Sequence, residues 1–359
     1  MKKHMTTFCV VVLISLLATQ AWGYTISSGF TESCHEAMTT QAITTNTDIP
    51  EDFQPVAVPI PDSEIWRLLA ENLPADRGAL EMSGESGDLI LVSLVLGVRA
   101  PDTEGHSVTN LATLRDAHTN PAGQYPHFLR STLDDGDAGN IKAIDGSIKH
   151  FRDTVQIALA YLKFPPEAQI ISTLTYADFY GQVRVEVWAP MFFLGIAIHA
   201  LQDSFSHTVR SDDLMKIRHV MNFIDAVNTG HEPGRDGLAH SGAMDNCQED
   251  AKEIADVAIM ATQELLNATA NSVVSDDLAP IDTFIDRWFQ YEPGCNSKNN
   301  FCDSKWTPIA RREPTGPFIA GAFDCSQCSL TRHTDPKAGI FFVLMAAAVA
   351  LARRKRRQA

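Results

Sequence analysis

Positive charge is scarce in this sequence: 29 Lys and Arg stand against 44 Asp and Glu in 359 residues, for a net charge of −15. Even those cations are unevenly spread. Residues 1–21 hold Lys2 and Lys3, residues 337–359 hold Lys337, Arg353, Arg354, Lys355, Arg356 and Arg357, and neither stretch has an acid. Setting these eight cations aside takes the body from −15 to −23. A surface that negative argues against a protein that grips nucleic acid through phosphate contacts with Lys and Arg, although it leaves room for a buried metal site that binds a phosphate. Other things are missing too. No HExxH occurs, so the commonest helical single-zinc motif is excluded. Cys325-Ser-Gln-Cys328 has no second CxxC to complete four ligands, which argues against a zinc ribbon. Strand-type alternation is sparse and no internal repeat is present. What remains, at 45% hydrophobic and 20% charged residues, is enough to bury a substantial core, so a disordered or collagen-like chain is excluded as well.

The chain begins as a secretory signal does: a basic start at Lys2 and Lys3, an apolar stretch Phe8–Leu17, then small residues near Ala21 and Gly23. Cleavage fits after Ala21 or after Gly23, and small-residue rules favour the second. At the far end the apolar run Ala338–Ala352 is closed by Arg353-Arg354-Lys355-Arg356-Arg357. Fifteen residues fall short of the roughly 20 that span a bilayer comfortably, but an apolar run closed by cations is a stop-transfer pattern. With Cys9 removed in the signal, six cysteines remain, an even number that in an exported chain points to disulfides. Cys295 and Cys302 close a short Gly/Asn/Ser-rich loop and are the pair expected first.

Apolar residues at three- and four-residue steps predict amphipathic helices through Ile144, Ile148, Phe151, Val155, Leu159 and Leu162, and through Ile254, Ala258, Ile259, Thr262, Leu265 and Leu266. A longer helix is predicted over Ala177–Phe205, carrying Phe179, Val183, Val187, Met191, Leu194 and Ile198, with Pro190 a kink or a boundary inside it. Segments 46–62, 99–140 and 228–246, rich in Pro, Gly, Asp and Asn, are expected as long loops. The expected fold class is therefore all-α: a signal at 1–21, a helical bundle over 22–290 with loops across one end, a Cys/Pro/Gly-rich stalk at 291–336, and an anchor or sorting segment at 337–359.

Chemistry concentrates in His and Asp. His199, Asp203 and His207 follow one another at four-residue steps, and each step turns a helix by about 40°, so the three share one face. The run Met191–Ile198 before them is almost wholly apolar, which places this polar stripe in the core, where it needs partners. Asp102 ends the apolar run Leu89–Val98 with a carboxylate, and His127 stands beside Phe128.

In these residues the chain resembles the superfamily of zinc-dependent phospholipases C and single-strand-specific zinc nucleases, all-helical proteins with a tri-zinc site that cleaves phosphodiesters. The stretch Phe192–Asp203 is similar to the phospholipase form of the His-x-x-x-Asp helix, and His127-Phe128 followed by the Asp/Gly-rich 134–140 looks like the earlier part of the signature. The resemblance implies a helical bundle of the zinc phospholipase C type, with Asp102, His127, His199 and Asp203 on one zinc and Asp203 bridging to a second. That second ion would also take the free amine and carbonyl of a mature N-terminal Trp22, with His35 thirteen positions on, which requires cleavage after Ala21. His207 would be the first ligand of a third zinc. The family's proline before that histidine is Ser206 here, and its closing His-x-x-x-Asp/Glu is absent. His240 with Asp245 is the nearest substitute, with His219 or Asp236 as alternatives, while His118 competes with His127. The resemblance further implies metal-activated water attacking phosphorus, with Asp102 as base. Because the body is so acidic, a phospholipid headgroup or small phosphodiester is the expected substrate, ahead of nucleic acid. A zinc nuclease or 3′-nucleotidase is the second reading, and a non-catalytic surface protein with a structural metal site the third. The tail resembles the Cys, apolar segment and Arg cluster tripartite sorting signals of Gram-negative surface proteins, of the myxosortase type. That implies a cell-surface, outer-membrane or periplasm-facing protein and a sorting protease as partner.

Overall fold

The structure, a computed structural model, describes residues 34–45, 55, 57–71, 85–107, 110, 123–130, 136–177, 180–222, 237–247 and 249–312. Trp22, His118, Asp236, the cysteines of 325–328 and both ends of the chain lie outside them. In chain order the helices are α1 (Cys34–Thr44), α2 (Glu64–Glu71), α3 (Glu85–Thr103), α4 (Gly136–Tyr161), α5 (Ala189–Ser206), α6 (Lys252–Ser275), α7 (Ala279–Trp288) and α8 (Thr307–Ala310). The strands are β1 (Ile170–Ala177), β2 (Gly181–Trp188), β3 (Thr208–Arg210), β4 (Lys216–Val220) and β5 (Gln290–Tyr291). The fold is mostly helical with two small sheets, one of β1 and β2 and one in the order β3-β4-β5.

Helix α5 is apolar nearly all round, as a helix enclosed by others must be, and nearly all of its residues are buried. Helices α1, α3, α4 and α6 pack on it. The closest approach is between α3 and α5, where two glycines face each other's backbone. A Cβ on Gly97 would lie 2.1 Å from the Phe192 carbonyl oxygen, and one on Gly195 would lie 2.4 Å from that of Leu94. Only glycine lets the two backbones approach this closely. One turn further along each helix come Asp102 and His199, which this contact sets side by side.

Three expectations change. The helix predicted from Ala177 starts instead at Ala189, with Pro190 in its first turn, where the missing N–H breaks no helical bond. Before it, β1 and β2 form an antiparallel hairpin in register from Ile170 opposite Trp188 to Ala177 opposite Gly181. Val183 and Val187 are four apart, a step that fits both the helical period and the strand period of two; Gln182, Arg184 and Glu186 alternate with them on the exposed side. Second, the loop expected over 99–140 gives up 99–103 to the last turn of α3 and 136–140 to the first turn of α4. The turn survives Pro101 because Glu104 N–H still donates to Ala100 O at 2.9 Å and the Thr103 hydroxyl to Arg99 O at 3.1 Å. Third, residues 291–312 are no stalk. β5 runs parallel to β4, Phe301 and Trp306 are buried, and Trp306 Nε1–H donates to Ser211 O at 3.2 Å.

Among the described residues two disulfides are present, the expected Cys295–Cys302 and Cys34–Cys247, 213 residues apart in sequence. They place the protein in an oxidising or extracellular compartment. Among the described residues no helix is long and apolar enough to cross a membrane, and the run 338–352 lies outside them.

Candidate metal centre

Five segments meet at the site. Helix α5 supplies His199, Asp203 and, as its C-cap, His207, whose N–H donates to Asp203 O at 2.8 Å. The last turn of α3 supplies Asp102, the first turn of α1 supplies His35, and the turn at 123–130 supplies His127. That turn is pinned by Arg130 N–H to Met221 O at 3.0 Å. The loop at 237–245 brings His240 and Asp245, held by paired backbone bonds between Asn222 and residues 238–240.

These side chains converge as three buried groups in which one ligand atom from each member lies within 4.8 Å of the others: His35, His199 and Asp203; Asp102, His127 and His199; His207, His240 and Asp245. The first two share His199. Asp203 faces both, with Oδ1 3.1 Å from His35 Nε2 and Oδ2 2.9 Å from His199 Nε2 and 3.2 Å from His127 Nδ1. Asp102 Oδ1 is 3.5 Å from His127 Nδ1 and 3.7 Å from His199 Nε2. In the third group Asp245 lies 3.4 Å from His207 Nε2 and 2.9 Å from His240 Nε2.

The donor set fits zinc. Ligands about 2.0–2.1 Å from a tetrahedral zinc stand about 3.3 Å apart, close to the separations above. The ring orientations fit as well. His199 Nδ1–H donates to Val98 O at 2.8 Å and His207 Nδ1–H to His127 O at 2.5 Å, so each turns its Nε2, the nitrogen that is bare in the neutral ring, toward the cluster. Asp203 Oδ1, His207 Nε2 and both oxygens of Asp245 are buried without a hydrogen bond, a costly arrangement unless a cation joins them.

Electrostatics carries the same demand for positive charge. Burial works against the ionised form of Asp203, but His207, His199 and His35 overcome it and hold the carboxyl well below its ordinary value. Asp245 is likewise lowered, its burial outweighed by His240 and His207. Burial disfavours the charged imidazole of His207, yet Asp203, Asp245 and the bond to His127 push it up to about 9. His35 is raised in the same way by Asp203 and Asp102 against its burial. Without metal, histidine protons supply the cations. His207 therefore stabilises the metal-free fold fully below its unfolded value near 6.5, and loses that contribution as pH climbs through about 9. Asp203 and Asp245, ionised throughout this range, add no slope of their own. Metal-free protein should melt lower at pH 9 than at pH 6.5 by scanning calorimetry, and zinc-loaded protein should lose this dependence. A level profile in the metal-free protein would contradict the proton on His207.

His219 is a correction: it does not join the third group. Its Nε2 accepts from Leu238 N–H at 3.0 Å, its Nδ1 lies 3.4 Å from the Asn140 amide, and burial together with the Arg130 charge pushes the ring down to about 3. It is a neutral structural ring. Two supporting features went unseen in the sequence. A buried ion pair, Arg99 Nε to Glu36 Oε1 at 2.9 Å, ties α3 to α1 beside the candidate ligands. Gln202, fully buried between two candidate ligands of α5, faces His35; a long polar side chain on so apolar a helix was its only signal. No protein-family model matches the chain, and no curated protein or solved structure matches it.

Proposed function

We propose that this protein is an exported zinc-dependent phosphodiester hydrolase of phospholipase C type. The observation that carries the reading is the convergence of three buried His/Asp groups, the first two sharing His199 and both faced by Asp203, in the order along the chain that the resemblance implies. Asp102, His127, His199 and Asp203 would hold one zinc; Asp203 and His35, with the amine and carbonyl of Trp22, a second; His207, His240 and Asp245 a third. Bound zinc supplies charge for phosphate oxygens and a water made acidic near neutral pH. The chain's part is positional: Val98 O and His127 O fix the rings of His199 and His207, and the Asp102 carboxylate takes the proton of the attacking water. No covalent nucleophile is called for.

Net charge selects among substrates. A body at −23 repels a polyanion along its length, whereas a single phosphodiester meets the local charge of the metals. A phospholipid headgroup or small phosphodiester is therefore favoured over single-stranded nucleic acid. The apolar run 338–352 and the basic cluster after it support tethering at a cell surface.

Purified protein should carry about three zinc ions per chain by elemental analysis, as expected for a two-metal phosphodiesterase core with one further ion. It should hydrolyse a choline phosphodiester, and a chelator should abolish that activity while the helical circular dichroism persists. Preferential cleavage of single-stranded DNA would reassign it as a nuclease. Loaded, folded protein inert toward both would leave a structural metal site.

A further inference from the structure

Gln202 lies in α5 between the two ligand positions His199 and Asp203, but its side chain reaches away from them toward α1 and α6. Its Oε1 is 2.7 Å from His35 Nδ1, and its Nε2 donates to Thr39 Oγ1 at 3.0 Å and toward Thr262 Oγ1 at 3.4 Å. The direction of this chain is set at its far end. Thr262 spends its only hydroxyl hydrogen on Ala258 O at 2.8 Å, so it can offer Gln202 nothing but lone pairs. The amide nitrogen must face it, which turns the carbonyl oxygen to His35. A carbonyl only accepts, so the neutral His35 ring carries its proton on Nδ1 and turns the lone pair of Nε2 toward Asp203 Oδ1, 3.1 Å away. Two acceptors facing each other in a buried site form one half of a metal-binding pair.

We propose that Gln202 is the positioning residue for His35 at the metal site that His35 forms with Asp203, fixing the tautomer and ring angle of His35 through an amide clamped between Thr39 on α1 and Thr262 on α6. This rests on the reading that this group holds zinc. A ligand from α1 is thereby locked to the packing of three helices, so that this ion binds only when α1, α5 and α6 are correctly docked.

The test uses the full chain, zinc alone as probe, and two readouts. Ring-nitrogen NMR of His35 in metal-free protein, at a pH where the ring is neutral, should show the Nδ1–H form in the parent and a mixture in Gln202→Leu. Zinc titration followed by native mass spectrometry should show Gln202→Leu weakened by about 10–100-fold for one ion, with the remaining ions unaffected. Gln202→Glu keeps an acceptor for Nδ1–H and should stay within a few-fold of the parent. Thr262→Val is a milder change for the case in which Gln202→Leu does not fold, and should shift the tautomer in the same sense. Parental zinc affinity in Gln202→Leu, or an Nε2–H tautomer in the parent, overturns the proposal; so does equal loss in the Glu and Leu variants, which would mark a packing role. Parent protein that binds no zinc while His35 is still Nδ1–H overturns the metal reading itself, and the proposal with it.

Discussion

Asp203→Asn should strip the protein of more than one zinc ion and abolish hydrolysis. Each oxygen of this carboxylate has its own partners, Oδ1 facing His35 and Oδ2 facing His199 and His127, so the substitution touches two groups at once. An amide would also turn an N–H toward one of them, where a ligand atom is needed. The effect extends to the metal-free state. Asp203 heads the charges that raise His207, and removing it should bring that ring down from about 9. Breaking a buried ionic cluster by deleting one partner costs about 3–5 kcal/mol, so metal-free Asp203→Asn should be clearly less stable near pH 6.5. Metal content measured per folded chain decides the matter: loss of a single equivalent, or none, would contradict a carboxylate shared between two ions.

The second large effect is expected from Cys34–Cys247. Cys34 directly precedes His35, and Cys247 follows Asp245 by two residues, so this bridge joins the backbone of one candidate metal group to that of another. Replacing both cysteines with Ser releases a loop of 213 residues and should cost about 2–5 kcal/mol, a fall in Tm of roughly 5–15 °C. Zinc should be held less tightly at both groups. Cys295–Cys302, seven residues apart and away from the ligands, is the internal control. Its loop-closure contribution is smaller by about 3 kcal/mol, and its removal should leave zinc binding unchanged. Equal zinc loss in both variants would mean that the long bridge acts only through global stability.

The His199–Asp203–His207 stripe was legible in the sequence because four-residue steps on an apolar helix leave one geometry open. Asp102 and His127 gained meaning only from the family resemblance, since an acid or a histidine in a loop-like stretch carries no direction by itself. His219 shows the cost of that: nothing in its neighbours reveals that Leu238 N–H and Asn140 already occupy its ring. The hairpin of β1 and β2 was lost to a coincidence of periods, and the packing of 291–312 to a composition that resembles a linker but contains Phe301 and Trp306. Gln202 and the Cys34–Cys247 pair were invisible for a shared reason. Their partners lie 167 and 213 residues away, and no local pattern encodes so distant a contact.

That separation has a consequence for the order of events in the cell. The candidate ligands are drawn from near residue 35, from 102 and 127, from 199 to 207, and from 240 to 245, so the group of His35, His199 and Asp203 is complete only once residue 203 is made, and that of His207, His240 and Asp245 only once residue 245 is made. A ribosome or a translocation pore that has released only the first 200 residues presents His35 with neither Asp203 nor Gln202. Contacts of such long range form late in folding, and binding free energy that depends on them becomes available late as well. On the proposed reading, the full set of ions is therefore taken up only after residue 245 has emerged, and those ions are the ones of the compartment in which the chain completes its folding.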